Sequence, residues 1–92
     1  MDLLTADEIS SRLSGLTGWQ QAGDAITATV TREDFRDALL FVGAVAYLAE
    51  SAGHHPDIAV QWNQVTLTLS THSAGGLTAA DFDLAERISA LS

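Results

Sequence analysis

The 92 residues carry twelve carboxylates, four arginines, no lysine and no cysteine, for a formal net charge of −8. That balance argues against nucleic acid or an anionic membrane surface as a direct partner, because phosphate contacts need clustered Lys and Arg, and the missing cysteines exclude disulfides. Hydrophobic residues make up 47 %, enough for a core, so one folded domain over 1–92 is expected. No apolar run reaches the roughly eighteen residues of a membrane span, and Met1-Asp2-Leu3-Leu4 lacks the basic start of a secretory signal; a cytoplasmic location is the resulting expectation.

In chain order, Thr5-Ala6-Asp7-Glu8 is a capping box with Leu4 and Ile9 placed as a hydrophobic staple. The helix it opens carries Ile9, Leu13 and Leu16 and stops at Gly15 and Gly18. Trp19 to Gln21 and Ala25 to Thr31 read as a hairpin around Gly23-Asp24, with Ile26, Ala28 and Val30 alternating with threonines. A second helix begins near Thr31-Arg32-Glu33-Asp34 and runs to about Ala52, with an expected inner stripe of Phe35, Leu39, Val42, Ala46 and Ala49. Gly53 suits the helix end, and Pro56 prevents continuation. Strands Ile58 to Trp62 and Val65 to Thr71 follow, joined tightly at Asn63-Gln64. His72 keeps the parity of the polar face, Gly75-Gly76 is a loop, and the last helix starts at Thr78-Ala79-Ala80-Asp81 with Phe82, Leu84, Ala85, Ile88 and Leu91 inward. The order α-β-β-α-β-β-α implies an α+β domain, a four-stranded antiparallel sheet with its three helices on one face. Open sheet edges in so small a domain imply pairing between copies.

All three histidines and the lone proline fall into one pattern: Glu50, His54-His55-Pro56, Trp62, His72 and Asp81. Imidazole is the natural acid and base near neutral pH. A zinc site is the first alternative, but adjacent His54 and His55 project differently from extended backbone, and no His-x-x-x-His helix spacing is present. A Ser-His-Asp triad is weaker still, since no nucleophile-elbow sequence occurs. Glu50 is either a solvated carboxylate or the partner of His54 or His55. Asp81 is accounted for by helix capping alone. Trp62, read as a strand residue, is by default a core or interface aromatic.

The pattern Glu-x3-His-His-Pro-x5-aromatic-x9-His-x8-Asp resembles the signature of the pterin-4a-carbinolamine dehydratases, with every spacing met. Gly18-Trp19, Asp34-Phe35, Asn63-x-Val65, Leu69-Ser70-Thr71-His72 and Gly76-Leu77-Thr78 extend the likeness over nearly the whole chain. The resemblance implies dehydration of 4a-hydroxytetrahydropterin to quinonoid dihydropterin, without a cofactor or metal, in pterin recycling behind an aromatic amino-acid hydroxylase. It implies His54 and His72 as the acid/base pair and His55 as a substrate-orienting residue. It further implies Gly53, His54, His55, Ser70, Thr71, His72 and Ser73 as the pterin lining, Glu50, Pro56, Trp62 and Asp81 as supports, and a homodimer or homotetramer. Two departures stand out: Asp57-Ile58 where Glu-Trp is frequent, and Ser73 where an acidic residue is frequent; they point to activity with altered pterin preference. The rivals are a pterin-binding regulator without turnover and a protein-interaction module of the coactivator or assembly-factor kind.

Overall fold

A computed structural model describes residues 2–91. Its elements are α1 (Ala6–Ser14), β1 (Gln20–Ala22), β2 (Ala25–Thr31), α2 (Phe35–Ala52), β3 (Asp57–Gln61), β4 (Gln64–Leu69), a 3-10 turn (His72–Ala74) and α3 (Ala79–Ser89). The strands form one antiparallel sheet in the order β1-β2-β4-β3. This is the expected α+β order.

Register separates the two faces of the sheet. Ile26 pairs with Leu69, Ala28 with Leu67 and Val30 with Val65, and these side chains point toward the helices. The core includes Ile26, Ala28, Val65, Leu67 and Leu69 from the sheet, Ala38, Phe41, Val45 and Ala49 from α2, and Phe82, Leu84, Ala85 and Ile88 from α3, with Ile9, Leu16, Trp19 and Leu77 closing it. The opposite face carries Thr27 against Thr68 and Thr29 against Thr66, whose hydroxyls meet at 3.4 and 3.1 Å. Strict alternation thus gives one packed face and one open face.

Local chemistry sets the helix ends. Thr5 and Glu8 close the capping box of α1. Asp34 caps α2 by accepting from the Asp37 N–H at 2.8 Å. The Arg32 guanidinium grips Asp37 through both oxygens, at 3.1 and 3.2 Å, and lies 4.9 Å from the Phe41 ring centre. Hydrogen bonding from Arg32, the largest cause, and from the Glu33 N–H holds the Asp37 carboxyl below its usual range.

Several boundaries and faces differ from expectation. β1 begins at Gln20, and Trp19 is buried, its indole N–H donating to Ser89 Oγ at 3.0 Å. β3 ends at Gln61, so Trp62 is the first turn residue, at φ 52°, and at 69 % exposure it lies outside the core, which leaves the interface alternative. β4 stops at Leu69, leaving Thr71 in an isolated bridge with Gly76. On α2 the expected inner stripe is displaced: Phe35, Leu39 and Ala46 are exposed, and the buried residues are Ala38, Phe41, Val45 and Ala49. The helix is apolar nearly all round, so two stripes compete, and the buried one includes the alanines at 38 and 49. Leu91 is also exposed.

Candidate active site

The site starts from how α2 ends. Gly53 takes the left-handed conformation at φ 63°, the Gly53 N–H donates to Glu50 O at 3.2 Å, and the His54 N–H donates to Ala49 O at 3.1 Å. This is a Schellman closure, in which the residue after the glycine reaches back over the last turn. It turns the chain sharply and presents His54 to α3.

There His54 Nε2 lies 2.5 Å from Asp81 Oδ1. Asp81 is fully buried, and its other oxygen is already engaged: Oδ2 accepts from Thr71 Oγ1 at 2.8 Å and from the Thr78 N–H at 2.9 Å. Thr71 gives its one hydroxyl proton to Asp81, so it accepts from Thr78 Oγ1, 2.8 Å away. Thr71, Thr78 and Asp81 are the buried polar residues among those described, and they satisfy one another in a single chain of hydrogen bonds. An ionised carboxylate only accepts; with Asp81 in that form His54 donates from Nε2, and Nδ1 is the second ring nitrogen. Capping and the contact with His54 use different oxygens of Asp81, so the helix cap accounts for only half of that residue.

The same chain ties His54 to His72. Thr71 immediately precedes His72, and its buried hydroxyl anchors the end of β4 to Asp81. The Thr71 N–H and O both bond Gly76, and the 3-10 turn lifts His72 onto the surface. His55 stands apart from this network: its Nε2 lies 2.6 Å from Glu50 Oε2, with both side chains about two-thirds or more exposed. Such a pair orients the ring and adds little stability.

Two hollows flank the network. His54 lines one of about 280 Å³ with Ser51, Ala79, Ala80 and Arg87. His72 lines another of about 330 Å³ on the open face of the sheet, with Asp24, Asp57, Thr68 and Ser70. Ser70 Oγ donates to the Asp24 carbonyl at 2.8 Å, fixing the rim. Of the expected site residues, Gly53, His54, Thr71 and Asp81 form one connected unit, Glu50 and His55 a second, and Ser70 and His72 share the open-face hollow. Pro56 leads into β3, Ser73 is exposed, and Trp62 lies at the far turn with no part in either hollow. Among the described residues no group of three or more His, Cys, Asp or Glu is placed to hold a metal ion. Thr78 and Asp57 were not singled out from the sequence as site residues. Strand parity places Asp57 opposite Thr68, whereas nothing in the sequence marks a second role for the Thr78 hydroxyl.

Residues 2–91 match the family described as pterin 4 alpha carbinolamine dehydratase, and the chain belongs to that family. A protein of Roseiflexus castenholzii, by name a candidate pterin-4-alpha-carbinolamine dehydratase, is 56 % identical over 86 residues, 94 % of this chain and 92 % of its own. A counterpart of the same name from Nocardia farcinica is 51 % identical over 90 residues, 98 % and 95 % of the two chains. The crystal structure of a transcriptional coactivator/pterin dehydratase from Brucella melitensis superposes with TM-score 0.94 at 36 % identity, covering 98 % of both chains. A pterin dehydratase-like protein described as a RuBisCO assembly factor in the alpha-carboxysome matches at TM-score 0.64 and 26 % identity, over 79 % of this chain and 84 % of its own.

Proposed function

We propose that the protein is a hydro-lyase that dehydrates 4a-hydroxytetrahydropterin to quinonoid dihydropterin. The C4a–O bond breaks as the departing oxygen takes a proton. The N5–H proton leaves, the N5 electrons form the N5=C4a double bond, and water is the second product. No electrons are exchanged with an outside group, so the reaction calls for no redox cofactor. It calls for one proton donor and one acceptor near neutral pH, worth roughly 10²–10⁴ in rate.

The observation that carries this reading is the grip of buried Asp81 on His54 Nε2. It fixes the tautomer, stabilises the imidazolium that forms in proton transfer, and leaves Nδ1 for the substrate. His54 and His72 line separate hollows joined through the Asp81–Thr71 hydrogen bond; we assign His72 as the second acid/base group, His55 as an orienting contact held by Glu50, and residues 53–55 and 70–73 as the pterin lining. A direct assay with 4a-hydroxytetrahydropterin, prepared from a hydroxylase turnover mixture, tests this: acceleration over the buffer rate supports it, and no acceleration refutes it.

Self-association has its own support. Phe35, Leu39, Leu40 and Tyr47 are exposed on α2, with Leu40 at 67 % and Tyr47 at 72 %. A face of this kind on a small chain marks an interaction surface. We assign it to a homodimer or homotetramer that acts on pterin released by an aromatic amino-acid hydroxylase. No helix among the described residues is long and apolar enough to cross a membrane, and we place the reaction in the cytoplasm.

A further inference from the structure

We propose that Asp57 determines specificity for the pterin ring, its carboxylate accepting the 2-amino and N3–H donors on the pyrimidine edge. The inference rests on the dehydratase reading and names the contact that selects the ring. Asp57 opens β3 and pairs with Thr68 across the sheet, on the face that no helix covers. It lines the same hollow as His72, together with Thr68 of β4 and Ser70 just beyond that strand. A hollow of about 330 Å³ is at the small end for ligand sites and suits a bicyclic ring better than a larger cofactor. Among the described residues the Asp57 carboxylate has no hydrogen-bond or ion-pair partner. Asp24 reaches the same hollow from the β1–β2 turn, but Asp57 sits on a strand directly after His54-His55-Pro56.

The chemistry fits the placement. A pterin carries its 2-amino and N3–H groups side by side, two parallel donors that match the two oxygens of a carboxylate. C4a is in the same six-membered ring, on the side away from that edge. Asp57 and His72 line one hollow, so a ring held there by its recognition edge at the carboxylate would turn its reacting carbon away from Asp57, toward the rest of the lining that includes His72. A lumazine, which has an oxygen in place of the 2-amino group, would set a carbonyl against the carboxylate and be rejected.

The test uses the intact chain, its Asp57→Asn variant, and two fluorescent probes, 6-methylpterin and 6-methyllumazine. Asp57 touches no other side chain by hydrogen bond and is exposed, so the near-isosteric variant keeps the fold, which circular dichroism checks. An Asp57→Ser variant gives a second reading. Wild type should prefer the pterin by about tenfold or more, the scale of one charge-assisted hydrogen bond. Both variants should bind the two probes within about threefold of each other. In the dehydration assay KM should rise about tenfold with kcat within about threefold. A variant that keeps the wild-type preference while wild type dehydrates its substrate overturns the role of Asp57 and leaves the dehydratase reading standing. A wild-type protein that neither dehydrates the substrate nor binds either probe overturns both.

Discussion

Replacing Asp81 by Asn tests the buried network most sharply. The side chain keeps its shape but exchanges one acceptor for a donor, at a position with no solvent exposure. The Thr78 N–H and Thr71 hydroxyl both need an acceptor, so the amide oxygen must stay with them and the amide NH2 must face His54. Nε2 then has to accept, which moves the ring proton to Nδ1. A hydrogen bond to a charged group contributes roughly 1.5–3 kcal/mol, and relief of a buried charge offsets part of its loss, so a destabilisation of about 2 kcal/mol is expected. A domain of this size is stable by roughly 5–14 kcal/mol, so the variant folds. At roughly 4–8 °C per kcal/mol, its Tm should fall by about 8–16 °C. Turnover should fall about a hundredfold on any substrate isomer that relies on His54, because the tautomer is wrong and no carboxylate stabilises the imidazolium. Thermal melts beside dehydration kinetics read both effects. A variant that melts within about 2 °C of wild type and keeps its turnover would refute the reasoning.

Three further outcomes follow from other parts of the fold. Gly53→Ala leaves room for the added carbon but forces it into the left-handed region, so it should cost about 1–2 kcal/mol and lower Tm by several degrees in a calorimetric scan. Leu40→Glu, on the exposed α2 face, should turn the proposed oligomer into monomers in sedimentation velocity at micromolar concentration, with the circular dichroism spectrum unchanged; wild type that sediments as a monomer would refute the self-association reading. Hydrogen bonds from Thr5 and from Arg32 hold Glu8 and Asp37, respectively, below their usual range. A carboxyl depressed in the folded state stabilises the fold above its unfolded pKa, and that contribution is lost as pH falls through the folded value. Urea midpoints should therefore drop between roughly pH 5 and pH 3, and Asp37→Asn should reduce the drop.

Much of the fold is legible in the sequence because its signals are local. The capping boxes at Thr5 and Thr78, the alternation in Ala25 to Thr31, and Gly53 before His54-His55-Pro56 each act over a few residues, and each recurs in the structure. The inner face of α2 is not legible: its sequence is apolar on both sides, and only contact with the sheet and α3 selects Ala38, Phe41, Val45 and Ala49. Trp62 misleads because two-residue turns rarely hold a tryptophan at positive φ; Asn63 secures the turn by exchanging hydrogen bonds with the Arg32 backbone, 31 residues away. At the site, spacing identifies Asp81 and His54, but their contact spans 27 residues of sequence. The threonines that fix the carboxylate become visible only once α3 and the end of β4 are packed together.

The measurement that bears most directly on the central claim is the dehydration rate of the double variant His54→Ala with His72→Ala, on each 4a stereoisomer separately. Each single variant should lower turnover more than affinity, and His55→Ala should weaken binding relatively more. The folded double variant should approach the uncatalysed rate on both isomers. A folded double variant that keeps most of the wild-type rate on both would contradict histidine acid/base catalysis and favour a pterin-binding role without turnover.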